Sequence, residues 1–326
     1  MKRYIVLAPL LLLFTFGLSG EEKSLTFNSD GSFKIIQFTD THFHYGSYKS
    51  EVVLEMMNEV LDIEQPDLVI FTGDIVTLAP LKDGWVKITE SLVKRQIHWA
   101  VTIGNHDDEQ DKKRDEILPL IKDIPFNVTQ VGAEDVYGQG NYVLPILNKA
   151  GKKTSALLYC VDSNAYTPIE GIGDYGWFHL SQIDWYRQVS TEFTRKNDGK
   201  PLPALAFFHI PLPEYKDAWE MKDKRLVGVK NEAVCSPVFN SGMFAAMLHQ
   251  GDVMGTFVGH DHDNDYLAPY CGIALAYGRF SGGATIYGDL TNGARVILLK
   301  EGKRRFTSWL RIRGGEKINT VKFNAK

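Results

Sequence analysis

Short apolar runs alternate with longer amphipathic ones along this chain. The short runs fall at Phe33–Thr39, Asp67–Thr72, Trp99–Ile103, Ala156–Val161, Ala204–Ile210, Met254–Val258, Ile273–Tyr277, Ala294–Leu299 and Thr307–Ile312. They are too short and too continuously apolar for surface helices, so they predict strands buried on both faces. Between the first two lies "SEVVLEMMNEVLDIEQPD". Val53, Met56, Met57, Val60 and Leu61 recur at helical spacing, Glu51, Glu55 and Glu59 take the opposite face, and Pro66 stands just past the end. That is an amphipathic helix with a solvated acidic stripe. The same spacing predicts helices over Trp85–Arg95, Ser181–Lys196 and Ser241–Gln250. The opening order strand–helix–strand–helix–strand implies a parallel sheet with crossover helices.

Composition adds bounds. The chain has 326 residues, 44% hydrophobic and 23% charged, which suits a large apolar core. A net charge of -4 gives no bulk attraction for nucleic acid. No aromatic series suggests a base-stacking grip, and no composition shift marks a linker. Lys2 and Arg3 precede the uncharged run Tyr4–Leu18, and Gly17 and Ser19 fit a small-x-small cleavage rule. Residues 1–19 therefore read as a secretory signal and 20–326 as one domain, exported to the periplasm or beyond, with no stable membrane span once the signal is cleaved. Export permits one disulfide. Cys235–Cys271 is the better candidate pair, because Cys160 lies in a strand-like run; three unpaired thiols fit the spacing as well.

The chemistry sits where the strands end. After the first comes "FTDTHFHYG", with Asp40 and His42. After the second comes "FTGDIV", with Asp74, and after the third "IGNHDD", with Asn105 and His106. His209 follows Ala204–Phe208, and His260 and His262 follow Met254–Val258. In open α/β sheets, ligands gather at the carboxyl ends of strands, so these residues should converge. Their types are those of metal ligands: carboxylates bridge, imidazoles supply nitrogen, and a neutral Asn supplies an oxygen without adding charge. Each motif alone is weak, but together and in this order they are specific. No G-x-S-x-G elbow and no P-loop pattern occurs.

The series D-x-H, G-D, G-N-H-D, H and G-H-D-H resembles the calcineurin-like metallophosphoesterase superfamily over Phe33 to Tyr266. "FFHIPLPEY" and "GHDHDNDY" are similar to its purple-acid-phosphatase-like branch. The resemblance implies a four-layer α/β/β/α sandwich of two mixed sheets. It implies a dinuclear metal site at the carboxyl strand ends, with the ions about 4 Å apart. Asp40, His42, Asp74 and His262 would hold one ion, and Asp74, Asn105, His209 and His260 the other. Asp74 would be shared. His106 would bind no metal; it would face the substrate and protonate the leaving oxygen. Hydroxide bridging the metals would attack phosphorus directly, with no covalent phospho-enzyme. The ions would be iron, manganese or zinc. Thr77 stands where purple members place a metal-bound Tyr, so this chain is expected to be non-purple. "GDIVTLAP" also lacks the Asp-Arg continuation of the protein-serine/threonine phosphatases.

The expected substrate is a small-molecule phosphate ester, a monoester first and a diester or nucleotide second. A non-catalytic metal-binding module is the rival from another class. Arg279 is a candidate fork for a phosphate oxygen, with a structural ion pair as the equal alternative. Asp107, Asn264 and Asp265 are candidates for supporting the ligand loops from behind.

Overall fold

The computed structural model describes residues 24–325, so the proposed signal at 1–19 lies outside the described residues. In chain order the strands are β1 (Ser32–Phe38), β2 (Phe43–His44), β3 (Leu68–Thr72), β4 (Val76–Leu78), β5 (His98–Thr102), β6 (Tyr142–Leu147), β7 (Thr154–Cys160), β8 (Ala204–Phe207), β9 (Val253–Val258), β10 (Leu267–Tyr270), β11 (Ile273–Tyr277), β12 (Gly293–Lys300), β13 (Arg305–Ile312) and β14 (Lys317–Asn324). The helices are α1 (Glu51–Glu64), α2 (Leu81–Arg95), α3 (Arg114–Ile121), α4 (Leu180–Lys196), α5 (Glu214–Glu220) and α6 (Met243–Gln250).

Two six-stranded sheets form, in the orders β14-β13-β12-β1-β3-β5 and β10-β11-β9-β8-β7-β6. In the first, β1, β3 and β5 run parallel while β12 pairs antiparallel with β1. In the second, β7, β8, β9 and β11 run parallel, and the outer strands β6 and β10 run antiparallel to their neighbours. Both sheets are therefore mixed.

Side chains alternate across each strand and define three apolar layers. Ile36, Phe38, Val69, Phe71 and Val101 face Val53, Met56 and Val60 of α1 and Trp85 and Ile88 of α2. Ile35 and Ile70, from the opposite faces of β1 and β3, join Leu158, Leu205, Phe207 and Met254 between the sheets. Tyr159, Ala206 and Val258 turn outward to meet Ile183, Tyr186, Tyr215 and Met247 of α4, α5 and α6. The result is the expected α/β/β/α sandwich. Continuous burial of β3, β8 and β9 follows from apolar cover on both faces.

Within the two large sheets three strands escape the apolar-run reading, β6, β10 and β14; the short strands β2 and β4, which pair with each other, escape it too. The first three are edge strands. β14 is half exposed and alternates with polar residues, while β6 and β10 carry Pro145 and Pro269. An edge tolerates both features because one row of backbone groups needs no ladder partner. The disulfide expectation is corrected. Cys160, Cys235 and Cys271 are all unpaired, the first buried in β7 and the last exposed.

One buried carboxylate ties α1 to β13. Glu64 accepts from Trp309 Nε1 at 2.8 Å and Arg311 Nε at 2.8 Å, and Lys34 Nζ lies at 3.4 Å. Burial alone would raise its pKa, but the Trp309 and Arg311 donors, with Lys34 nearby, outweigh that and hold it below the usual carboxylate range. A carboxylate depressed on folding stabilises above its unfolded pKa and loses that contribution as the pH falls through its folded value. Glu64→Gln should therefore cost about 2 kcal/mol at neutral pH in urea unfolding. The difference from the parent should shrink steadily as the pH is lowered through the carboxylate range. A difference independent of pH would contradict this.

Candidate metal centre

The carboxyl ends of β1, β3, β5, β8 and β9 open onto one edge of the sandwich. Backbone bonds lace their turns together: Asp40 N–H to Gly73 O at 3.0 Å, His42 N–H to Asp74 O at 3.0 Å, and Gly259 N–H to His209 O at 3.1 Å. Four of the turn residues have left-handed backbones: Asp40 (φ 52°), His42 (39°), Asp74 (54°) and His260 (79°). A non-glycine residue held there costs of order 1–3 kcal/mol and persists only when its surroundings fix it. Two glycines permit the crowding. A Cβ on Gly104 would strike the Asp74 carboxylate, and one on Gly259 would strike Thr39 and Asp40.

The turns deliver two buried ligand groups: Asp40 with His42 and His262, and Asp74 with His209 and His260. Within each group the candidate ligand atoms lie within 4.8 Å of one another. Asp74 sits where a shared ligand must. Its Oδ2 is 3.1 Å from His209 Nε2 and 3.8 Å from His42 Nε2, one from each group. His262 Nε2 lies 3.5 Å from Asp40 Oδ1. Asn105 joins the second group, with its Oδ1 3.2 Å from His209 Nε2.

The donor set fits two cations. Nε2 of His42 and of His260 are buried with no hydrogen-bond partner, an expensive state unless something draws on the lone pair. Burial pushes the His42 and His260 pKa values down to about 4 and about 3, which keeps both imidazoles neutral at pH 7. Nδ1 of His209 faces Thr72 O at 2.7 Å and Nδ1 of His262 faces Tyr287 O at 2.9 Å; each donates there and turns Nε2 inward. Burial opposes charge on His209, but Asp74 and Asp40 outweigh it and hold its pKa up at about 9. A proton there draws on the same carboxylates that a cation would.

His106 belongs to neither group. Its backbone N–H donates to Asp74 Oδ1 at 2.8 Å, and its ring centroid lies 5.6 Å from that of His42. Its side chain is 39% exposed, in contrast to the buried ligands. Asp107 is the clamp behind it. The carboxylate accepts from the backbone N–H groups of Asp74 (2.9 Å), Ile75 (2.8 Å) and Gly104 (2.8 Å), joining the exits of β3 and β5. Desolvation and the neighbouring Asp74 raise its pKa to about 6.

Residues outside the strand-end reading complete the loop. Arg114 donates to Gly104 O at 2.7 Å and Ile103 O at 3.2 Å, and pairs with Asp162 at 2.5 Å. Glu109 and Tyr166 contact His106 and Asn105 from the mouth. No spacing announces them: Glu109 looks like a turn acid, and Tyr166 comes from a long loop. The length of that loop, Asn164 to Gly176, was the available signal.

Arg279 needs correction as a phosphate ligand. It is buried, its Nε donates to Thr291 O at 2.7 Å and its Nη1 pairs with Asp265, which is the structural ion pair of the alternative reading. Asp265 also accepts from Val229 N–H at 2.7 Å, and Asn264 Oδ1 from Asn231 N–H at 3.0 Å. Both therefore hold the segment that packs beside β10, on the chain just after His262.

Comparison with known proteins gives the family and the fold. The family model for calcineurin-like phosphoesterases matches residues 33–264, and the chain belongs to that family. It is 32% identical over 344 residues to the Arabidopsis thaliana protein named probable inactive purple acid phosphatase 14, covering 95% of this chain and 84% of the relative. It is 30% identical over 329 residues to phosphatase DCR2 of Saccharomyces cerevisiae, covering 88% of this chain but 55% of that longer protein. The fold matches a dimetal phosphatase from Danio rerio with a TM-score of 0.62 at 12% identity, over 90% of this chain and 99% of the other.

Asp107→Asn would leave one acceptor oxygen for three backbone donors. Affinity for the metals should fall about 10–100-fold, read by chelator competition. Unchanged affinity in the folded variant would remove Asp107 from the support of the site.

Proposed function

We propose that the protein is an exported, metal-dependent hydrolase of small-molecule phosphate monoesters. One observation carries the reading. An accessible imidazole, His106, stands beside two buried ligand groups and is held by its backbone to the shared carboxylate, without being a ligand itself. A cage that only bound metal would have no use for it.

Two bound cations would neutralise the phosphate oxygens and lower the pKa of a water between them. The chain supplies the rest. Asp40, His42 and His262 would hold one ion, Asn105, His209 and His260 the other, and Asp74 both. His106 Nδ1 is engaged by Glu109 at 2.7 Å, which leaves Nε2 for the ester. A proton delivered from Nε2 lets a poor alkoxide leave, which is the slow part of ester hydrolysis at an already crowded anion.

The monoester preference is supported by the relative named phosphatase DCR2. A second reading, a diester or nucleotide substrate, is supported by tyrosines at the rim. Tyr175 meets His260 edge-on at 4.4 Å and Tyr287 stacks on His262 at 4.3 Å, so a planar leaving group would find aromatic neighbours. Export is supported by the basic and apolar pattern of residues 1–19. Among the described residues, no helix is long and apolar enough to cross a membrane.

The test is kcat/KM of manganese- or iron-loaded protein on matched aryl phosphate mono- and diesters, with His106→Ala alongside. Turnover with the monoester preferred is expected. His106→Ala should keep its metal and lose about 10²–10⁴-fold in kcat. Loss of metal in that variant, or no turnover with both ions bound, would favour the non-catalytic module.

A further inference from the structure

A single chain of hydrogen bonds runs across the mouth of the site. Asn105 Nδ2–H donates to Tyr166 OH at 3.1 Å. Tyr166 OH donates to Glu109 Oε1 at 2.7 Å. The other oxygen of that carboxylate, Oε2, lies 2.7 Å from His106 Nδ1, and Tyr166 OH reaches the same nitrogen at 3.5 Å. The two ends of the chain are adjacent residues on the turn that follows β5: an amide whose oxygen faces His209 and an imidazole exposed at the mouth.

We propose that Glu109 and Tyr166 are positioning residues that set which atom each of these side chains presents. Donor and acceptor directions are forced. A carboxylate only accepts, so the His106 nitrogen facing Glu109 carries a hydrogen. A phenol that gives its hydrogen to Glu109 can only accept from Asn105, so the amide nitrogen faces Tyr166 and the oxygen faces His209. An Asn turned the other way would point N–H donors at a cation. A His106 of the other tautomer would lose its anchor.

The inference rests on His106 acting as proposed above. As hydroxide from water bonds to phosphorus and the ester phosphorus–oxygen bond breaks, the electron pair of the broken bond goes to the leaving oxygen, and the Nε2 proton of the imidazolium moves onto that oxygen. The imidazole left behind keeps its Nδ1–H on Glu109. The ring thus holds one orientation before and after transfer, and no rotation is needed within the step.

Two variants and two readouts test this. In zinc-loaded, 15N-labelled protein, at a pH alkaline enough for the His106 ring to be neutral, its nitrogens should report the Nδ1–H tautomer that proton transfer leaves behind, whereas neutral imidazole by itself prefers Nε2–H. Glu109→Ala should lose that preference. With 2,4-dinitrophenyl phosphate, whose leaving group needs no proton, Glu109→Ala should keep nearly full kcat. With phenyl phosphate its kcat should fall about 10–100-fold at unchanged KM. Tyr166→Phe should keep the His106 tautomer but weaken the second metal about 10-fold, because the Asn105 amide loses its partner. Equal losses on both esters, or a Glu109→Ala protein that retains the Nδ1–H tautomer, would overturn the assignment of Glu109. Unchanged metal affinity in Tyr166→Phe would overturn that of Tyr166. If the parent protein turns over neither ester, the hydrolase reading fails, and the tautomer and metal affinity still decide the positioning roles.

Discussion

Two carboxylates, Asp40 and Asp74, lie almost wholly buried among four imidazoles, and most of the molecule can be read as the means of keeping them there. Burying like charges together costs several kcal/mol per ion unless they are paired. The protein supplies partial pairing through backbone donors: His260 N–H to Asp40 at 3.0 Å and His106 N–H to Asp74 at 2.8 Å. The remaining demand is for positive charge. With His42 and His260 held neutral by burial, a proton on His209 meets part of it, and cations at the two ligand groups would meet the rest.

The fold serves that demand through its parallel strands. β1, β3 and β5 in one sheet and β8 and β9 in the other all run out at the same edge, so their exits meet without long loops. Burial on both faces leaves these strands little freedom to shift register, and a fixed register fixes where each exit begins. Asp107 then locks the β3 and β5 exits to each other, and the left-handed turns at Asp40, His42, Asp74 and His260 aim the side chains inward. The strain of those turns is tolerable because neighbouring backbone bonds leave no relaxed alternative.

The residues of the two buried groups were legible as candidate ligands because each follows a buried apolar run, and chance seldom sets an imidazole, a carboxylate or an amide after five such runs in one chain. The central strands were legible from the same sharp change between apolar and polar residues. Elements without that contrast were not. The edge strands β6, β10 and β14 carry polar alternation or proline, since an edge has less to bury. Glu109 and Tyr166 come from exposed loops, and their partners are set by three-dimensional contact rather than spacing. Arg279 shows the converse. An arginine after a strand and before a glycine pair suggests phosphate binding, yet only coordinates show that Asp265 and the Thr291 carbonyl already occupy it.

A relative's name includes the words probable inactive, so the chemistry here has to be argued from the site of this chain. The central claim is that the two buried groups form one dinuclear centre joined by Asp74. Calorimetric titration of metal-free protein with manganese or zinc tests it most directly, with Asp74→Asn and His42→Ala run in parallel. Two ions per chain are expected, both weakened by Asp74→Asn and one spared by His42→Ala. A single ion in the parent protein, or two ions unaffected by Asp74→Asn, would contradict it.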